Sequence, residues 1–297
     1  MELWVVITLA AGAVQTLRFM LQKRLKGLGL STGGATFSRF VYAAPIACAG
    51  AAVLLAVQGH GLPGMGARFW AFVVVGGLTQ IVATFLTVAL FSLRSFAVGI
   101  AFTKTETVQV AVLSALILAE RVPAAGWIAI LIGTCGVLLM SPPPRETGGP
   151  MLGRAVLMGV AAGGLFGLSA VGYRGATQEL ALDDAFARAV VALACVTSFQ
   201  TLAMVGWLVW REPGEITRVL RSWRATLPVG ITGVLGSAGW FVAFALQNAA
   251  YVRSLAQVEL IYSLLASVLV FHERVSKREI AGIALLALSI IGIVSFG

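Results

Sequence analysis

Charged residues are scarce in this sequence: Asp, Glu, Lys and Arg make up 11% of its 297 residues. A soluble domain usually carries about 25% charged residues, so this chain has too little polar surface to coat a water-soluble globule. Hydrophobic residues reach 59%, and apolar runs of roughly 20 residues, long enough to cross a bilayer as a helix, recur along the chain. The sequence therefore predicts an integral membrane protein surrounded by lipid.

The residues that build metal sites and disulfide frameworks are also few. The chain has three cysteines and two histidines. Cys48, Cys135 and Cys195 are scattered among apolar residues without metal-ligand spacing, and His60 and His272 form no ligand cluster. We therefore expect no metal site and no disulfide framework.

Sequence motifs of catalysis and nucleotide binding are missing as well. The chain has no helical zinc-protease motif, no P-loop and no nucleophile elbow. A membrane-embedded enzyme would need a catalytic cluster at one interface, and a channel would need a ring of like charges or a filter sequence. Neither pattern is present, so we predict no enzymatic activity, no cofactor and no channel.

Acidic residues are outnumbered by basic ones, 12 against 21, which gives a net charge of +9. Such a balance can indicate nucleic-acid binding, but here the basic residues lie in short connections, where a membrane protein needs them for orientation. We therefore expect no nucleic-acid partner. Residues 1–13 lack the basic start of a signal peptide and include the acidic Glu2, which favours a mature helix.

Apolar runs punctuated by glycine, proline and charge predict ten membrane spans. They cover residues 3–21, 35–57, 69–91, 97–119, 124–141, 153–173, 184–210, 227–248, 254–271 and 278–296. Residues 141–150 read SPPPRETGGP, which no helix tolerates. We therefore divide the chain into a five-helix unit (1–141), a linker (142–152) and a second five-helix unit (153–297).

The two five-helix units repeat each other. Span four ends in AVLSALILAERV and span nine in SLLASVLVFHERV, and the alignment pairs Glu120 with Glu273 and Glu106 with Glu259 at one offset. Further pairs keep nearly the same register: Ser114 with Ser267, Phe91 with Phe244, Trp70 with Trp223, Phe37 with Phe186, and Arg39 with Arg188. Because five is odd, the second unit must enter the membrane from the opposite side. This predicts an inverted-topology repeat, which many secondary transporters use.

Lys and Arg are unevenly distributed between the two sides of the membrane. The side that holds connections 1–2, 3–4, 5–6, 7–8 and 9–10 has thirteen: Lys23, Arg24, Lys26, Arg94, Arg145, Arg154, Arg211, Arg218, Arg221, Arg224, Arg274, Lys277 and Arg278. The other side has four: Arg68, Arg121, Arg174 and Arg253. Basic connections stay in the cytoplasm, so we predict a multi-pass protein of the inner (plasma) membrane with both termini outside the cytoplasm.

The ends of spans four and nine resemble a family signature, in which a glutamate closes the span before a helix that contains small residues. The matching residues are Glu120 with Gly133 and Gly136, and Glu273 with Gly282 and Ser289. With ten spans and a five-plus-five duplication, the chain resembles the EamA branch of the drug/metabolite transporter superfamily over nearly its whole length.

That family often has a Glu-Pro pair about four turns before the closing glutamate. Here Glu106 and Glu259 hold the glutamate position, while Thr107 and Leu260 stand in place of the proline. The resemblance implies a proton- or gradient-coupled carrier, often an exporter of amino acids or other small metabolites. It also implies a central cavity lined by spans 1, 3, 4, 6, 8 and 9, with alternating access by rocking of the two repeats.

Charged residues inside the spans are candidates for function, because a charge at the bilayer centre costs roughly 2.5–3.5 kcal/mol and tends to face a cavity or partner. Glu106 lies near the middle of span four, and Glu259 is its counterpart in span nine. Arg39 and Arg188 lie near the starts of spans two and seven. We hypothesise that Arg39 pairs with Glu106 and Arg188 with Glu259, closing two gates in turn. Static ion pairs, or arginines reaching the headgroups, are the alternatives.

Further polar and aromatic residues fall near the predicted midplane. Those we assign to substrate binding or coupling, besides the two glutamates, are Lys104, Gln15, Gln80, Gln109, Trp240, Gln257 and Tyr262. Carboxylates and amides suit an amine, whereas Lys104 or an arginine suits an acid, so the set predicts a small polar or amphiphilic substrate such as an amino acid. Hydrogen bonds between helices are the alternative role for each single residue.

A second function remains compatible with the sequence. A lipid flippase or scramblase would share the fold and hydropathy, and a lateral opening with lipid-dependent transport would distinguish it from a metabolite carrier.

The glutamates at the membrane edges, Glu120 and Glu273, are interpreted as structural caps, and Ser276 with Glu279 predicts a capping box for the last span. Protons are the candidate coupling ion, and the sequence does not determine the oligomeric state.

Overall fold

The structure is a computed structural model that describes residues 2–93, 106–140, 154–262, 264–265 and 276–296. Within these ranges the chain is helical and contains no strand. The helices, in chain order, are α1 (Leu3–Gly27), α2 (Thr32–Val41), α3 (Ala43–Val57), α4 (Ala67–Leu93), α5 (Glu106–Leu118), α6 (Ala124–Met140), α7 (Arg154–Gln178), α8 (Ala185–Arg211), α9 (Glu215–Arg221), α10 (Trp223–Leu246), α11 (Ala249–Leu255), which leads into a 3₁₀ turn (Ala256–Val258), and α12 (Lys277–Phe296).

Membrane-spanning helices are confirmed. Among the described residues, six stretches are long and apolar enough to cross a bilayer: Leu3–Leu25, Thr32–Val57, Ala67–Leu90, Ala185–Arg211, Trp223–Leu246 and Lys277–Ser295. Two shorter apolar helices are present at Glu106–Leu118 and Ala124–Leu139. Parts of the predicted fourth and ninth spans and the whole predicted linker, 142–152, lie outside the described residues.

The predicted second span is broken into two helices, α2 and α3, at Tyr42. Pro45 explains the break, because proline lacks a backbone N–H and its ring clashes with the carbonyl four residues earlier, here that of Val41. Helix α2 accordingly ends at Val41, and α3 begins at Ala43. After the break, α2 packs mainly against α10 and α3 packs mainly against α8.

Side-chain caps fix several helix starts. The Ser276 side chain accepts the Glu279 N–H at 3.2 Å, while the Glu279 carboxylate accepts the Ser276 N–H at 2.6 Å, which confirms the predicted capping box. Asp184 caps α8 by accepting the Phe186 N–H at 3.0 Å. The hydrogen bond from Gln58 and these backbone bonds lower the pKa of Asp184, because they stabilise its ionised form.

Two helices differ from the predicted boundaries in ways that matter for the interior. Helix α11 begins at Ala249, five residues before the predicted ninth span, because Asn248 caps it by accepting the Ala250 N–H at 2.8 Å. The sequence placed Arg253 in the connection before the ninth span, whereas the structure places it in α11, where it is 6% exposed. The short helix α9 was not predicted.

The largest helix-packing contacts join the two halves of the sequence. Helix α1 packs on α10, α4 on α7, α3 on α8, α6 on α12, and α5 on both α7 and α11. The main core draws buried residues from α1, α3 to α8 and α10 to α12. The halves are therefore interleaved and share one interior.

The exterior of the protein is apolar, and its interior holds polar and charged side chains as well as apolar ones. Large apolar side chains point outward, among them Val57 at 80% exposure, Leu116 at 76% and Trp210 at 75%. Polar and charged side chains such as Arg18 and Glu106 are each 2% exposed. An apolar exterior is what lipid requires, and polar groups inside need partners within the protein.

Helices α4 and α7 approach closely at two glycines, and this contact predicts a stability effect. A Cβ atom on Gly172 would lie 2.8 Å from Gly76 Cα and 3.1 Å from the Phe72 carbonyl oxygen, both backbone atoms that cannot move aside. We expect Gly172→Ala to lower the unfolding free energy in detergent by about 1–3 kcal/mol, because it overpacks this contact. Chemical denaturation in mixed micelles measures it.

The matched control is Gly206→Ala in α8, where the new Cβ would meet no atom within 4 Å. Its effect should be near zero or slightly stabilising, since alanine favours helix more than glycine does. If both substitutions change the unfolding free energy equally, the backbones of α4 and α7 are farther apart at these glycines than the structure indicates.

Candidate functional site

A polar cavity lies among helices α1, α4, α7 and α10, beside α11. Its volume is about 20 Å³, which is room for about one water molecule. Amide, hydroxyl, aromatic and cationic side chains line it: Gln15, Gln80, Phe166, Ser169, Ala170, Tyr173, Ser237, Trp240, Phe241, Phe244 and Arg253. Three residues predicted from the sequence, Gln15, Gln80 and Trp240, therefore meet at one place.

A chain of hydrogen bonds holds one wall of the cavity. Gln15 of α1 donates to the Glu259 carboxylate at 2.8 Å and accepts from the indole N–H of Trp240 at 2.9 Å. Glu259 is 2% exposed and follows the 3₁₀ turn. One side-chain amide thus connects α1 with α10 and with the segment after α11.

The second predicted glutamate is held by an arginine. Arg253 forms an ion pair with Glu106, and the two side chains are 7% and 3% exposed. The Arg253 guanidinium also lies over the Trp240 ring, 5.0 Å from its centroid. This buried ion pair ties α5 to α11.

Arg39 does not hold the ion-pair partner proposed from the sequence. Its guanidinium donates to the Thr84 hydroxyl at 3.0 Å and to the Ser237 hydroxyl at 3.3 Å. The hypothesised Arg39–Glu106 gate pair is replaced by Glu106–Arg253 in this structure. The physical reason is that α11 starts early, which carries Arg253 into the interior beside Glu106.

Arg188 likewise has a local structural role. It donates to the backbone carbonyl oxygens of Leu182 at 2.7 Å and Asp183 at 3.1 Å, immediately before α8. Glu259, its hypothesised partner, is held instead by Gln15. The arginine is half-buried and lies in the first turn of α8.

Gln80 belongs to a three-residue network at the opposite wall of the cavity. Its side-chain oxygen accepts from the Tyr173 hydroxyl and, at 2.9 Å, from Gln200. Gln200 also donates to the Tyr173 oxygen at 3.1 Å. The Tyr173 ring stacks on Phe241 with 4.4 Å between centroids. The network joins α4, α7, α8 and α10 around one polar centre.

The other predicted residues lie around the cavity at greater distance. Gln257 donates to the Thr107 hydroxyl at 2.8 Å, next to Glu106. The Tyr262 hydroxyl donates to the Leu9 carbonyl oxygen at 3.3 Å. Gln109 is on α5, where its side chain lies against α7. Lys104 lies outside the described residues.

Glu120 links helices rather than only capping one. It accepts from Arg174 at 2.8 Å and from Ser114 at 2.5 Å. Arg174 also donates to the carbonyl oxygen of Phe244 at 2.6 Å. The end of α5 is therefore bound to α7 and α10 on one side of the cavity. Its repeat counterpart Glu273 lies outside the described residues.

Three interior residues were missed by the sequence reasoning. Arg253 was counted as a connection charge, although a polar residue six positions before Glu259 could have suggested an interior role. Arg18 lies three residues after Gln15, one helical turn along the same face. Gln200 is an isolated amide in a long apolar helix, which is itself a signal.

The second half of the chain matches a known family. Residues 153–295 match the model of the EamA-like transporter family. The match identifies this part of the chain as EamA-like. The resemblance predicted from the sequence is therefore confirmed, and the match indicates a membrane transporter of small molecules.

A solved structure shares the fold. It is described only as the crystal structure of a protein, and it aligns with a TM-score of 0.64 over 97% of this chain and 99% of its own. Sequence identity is 17%, so the likeness concerns the fold alone. Among curated proteins there is no match.

The Glu106–Arg253 pair predicts strong coupling in a double-mutant cycle. Glu106→Gln or Arg253→Gln alone should cost about 3–5 kcal/mol of unfolding free energy, because each leaves an unpaired charge in the interior. The double variant should be more stable than either single variant. Denaturation in mixed micelles measures all three.

The exposed pair Arg68–Glu179, at 3.4 Å, is the matched control. Arg68→Gln and Glu179→Gln should each lower the free energy of unfolding by about 0–1 kcal/mol. A coupling energy at Glu106–Arg253 no larger than at Arg68–Glu179 would contradict the buried ion pair.

Proposed function

We propose that this protein is a secondary transporter that moves small polar or amphiphilic metabolites, such as amino acids, by alternating access, with export as its direction. The observation that carries the proposal is the polar cavity inside a helical membrane protein, with Gln15, Glu259 and Trp240 in one hydrogen-bonded chain at its wall. The match to a transporter family points the same way.

The energetics of the interior support a transport site. A buried carboxylate in a membrane protein is expensive and is retained where it pairs, binds or carries protons. Two of the buried carboxylates among the described residues, Glu106 and Glu259, lie near the same cavity. Helix packing alone would be satisfied by apolar side chains, which are abundant elsewhere in the core.

The helix contacts support alternating access by two inverted repeats, 1–141 and 153–297. The first helix of each proposed repeat packs against the third membrane-crossing helix of the other, as α1 with α10 and α4 with α7. The fifth helices, α6 and α12, pack on each other. The same helix contacts are found when the two halves are interchanged. Such pseudo-twofold symmetry is expected if the two repeats rock against each other.

Glu259 is our candidate for the coupling site. Its described hydrogen-bond donor is the neutral amide of Gln15, whereas Glu106 faces the fixed positive charge of Arg253. We propose that protons, or an equivalent gradient, act through this residue.

Transport in liposomes tests the function. Purified protein would be offered a pool of amino acids and small amines with and without an imposed pH gradient. We expect gradient-driven flux in the wild type and none in Glu259→Gln, since glutamine keeps an oxygen acceptor for Gln15 but cannot carry the proton. Glu106→Gln should lose flux together with stability.

The control is Glu179→Gln, the same change at an exposed pair, which should transport like the wild type. Full gradient-driven flux in Glu259→Gln would remove Glu259 from coupling. Movement of fluorescent lipid with no soluble substrate transported would overturn the metabolite proposal and favour a flippase.

We also propose that both termini lie outside the cytoplasm, and cysteine labelling tests this. In a variant with Cys48, Cys135 and Cys195 replaced by alanine, a single cysteine would be placed at the exposed Gly61 or the exposed Arg221. A membrane-impermeant maleimide should label position 61 in intact cells and position 221 only after lysis. The reverse pattern would invert the topology.

A further inference from the structure

Two buried arginines lie side by side near the cavity. Arg18 of α1 and Arg39 of α2 are each 2% exposed. Both side chains pack over Gly233 of α10: a Cβ there would lie 3.1 Å from Arg39 Cγ and 3.7 Å from Arg18 Cδ. Two cations this close repel each other, and the positive charge of Arg39 does act on Arg18.

The hydrogen-bond partners of both arginines are neutral. Arg18 donates through Nη1 to the Gln22 side-chain oxygen at 2.5 Å, and Arg39 donates to the hydroxyls of Thr84 and Ser237. The second terminal nitrogen of Arg18, Nη2, is buried and has no hydrogen-bond partner within the described structure. An unsatisfied donor on a buried cation is costly.

The nearby carboxylates do not balance this charge. Glu106 is paired with Arg253. Glu259 acts electrostatically on Arg18 and is hydrogen-bonded by Gln15, yet one carboxylate can neutralise only one of the two arginines. In the part of the interior that the structure describes, one positive charge of this group therefore lacks a counter-charge.

The arginine pair lies next to residues that line the cavity. Ser237, which accepts from Arg39, and Gln15, one helical turn from Arg18, both line it. Arginine presents a planar fork of donors that matches the two oxygens of a carboxylate or phosphate. A ligand oxyanion at this edge of the cavity would supply both the missing counter-charge and the missing acceptor.

We propose that Arg18 and Arg39 form an oxyanion site that binds the carboxylate or phosphate group of the transported molecule. The inference rests on the proposed transport function and specifies its substrate class: molecules that carry at least one oxyanion, rather than simple amines. Arg18 Nη2 is the donor that such a group would satisfy.

Ligand-dependent thermal stability of the purified protein in detergent tests the site without requiring transport. Glutamate, succinate and inorganic phosphate would each be titrated against chloride at equal ionic strength, with putrescine as the cationic probe. We expect at least one oxyanion to raise the melting temperature saturably, while putrescine and chloride do not. Arg18→Gln should weaken its apparent affinity by about tenfold or more, because a charge-assisted hydrogen bond is lost.

Matched variants separate the site from general charge effects. Arg68→Gln makes the same change at an exposed arginine and should leave the titration unchanged. Arg18→Lys keeps the charge but not the fork, so it should retain binding at reduced affinity even if Arg18→Gln fails to fold. Failure of every oxyanion to stabilise the wild type, or equal affinity in Arg18→Gln, overturns the proposal.

Separate experiments identify the source of the oxyanion and test the transport function. Stabilisation by anionic but not zwitterionic lipid in nanodiscs, with no response to soluble acids, would assign the site to a lipid headgroup. Gradient-driven flux of amines without acids in liposomes would leave the transport function standing and overturn the oxyanion site. Oxyanion binding without any flux would support the oxyanion site and overturn the transport function.

Discussion

The hydrogen bonds of Gln15 are the contact on which the arrangement of the interior depends. One amide side chain donates to Glu259 and accepts from Trp240, so three separate segments, α1, α10 and the residues after α11, are held at fixed distances. In lipid no water is available to replace such bonds, and each group that loses its partner stays unsatisfied. The position of Glu259, and with it the shape of the cavity wall, follows from this constraint.

Around that centre the protein combines tight apolar packing with a polar interior. Glycines bring α4 and α7 into backbone contact at Gly76 and Gly172, and Gly233 makes room for two arginine stems. Small residues let helices approach closely where no hydrophobic force drives them together. The space that this approach leaves at the middle of the bundle is lined by amides, hydroxyls and a guanidinium.

Much of the fold could be predicted because its signals are local. Span positions, the capping box of Ser276 and Glu279, and the family resemblance all follow from short stretches of sequence. Partner choice could not be predicted, as the Arg39–Glu106 hypothesis shows. Helix α11 begins at the Asn248 cap, and this displacement of a few residues brings Arg253 rather than Arg39 to Glu106.

The sequence by itself determined that the chain is a helical membrane protein of the transporter type, and that Glu106 and Glu259 are unusual in their apolar surroundings. Composition and periodicity suffice for this, because every membrane helix must satisfy the same solvent along its own length. Only the tertiary structure decided which charges meet. Pairing depends on the approach of helices distant in sequence, such as α1 to α10 and α5 to α11, and no local pattern records those distances.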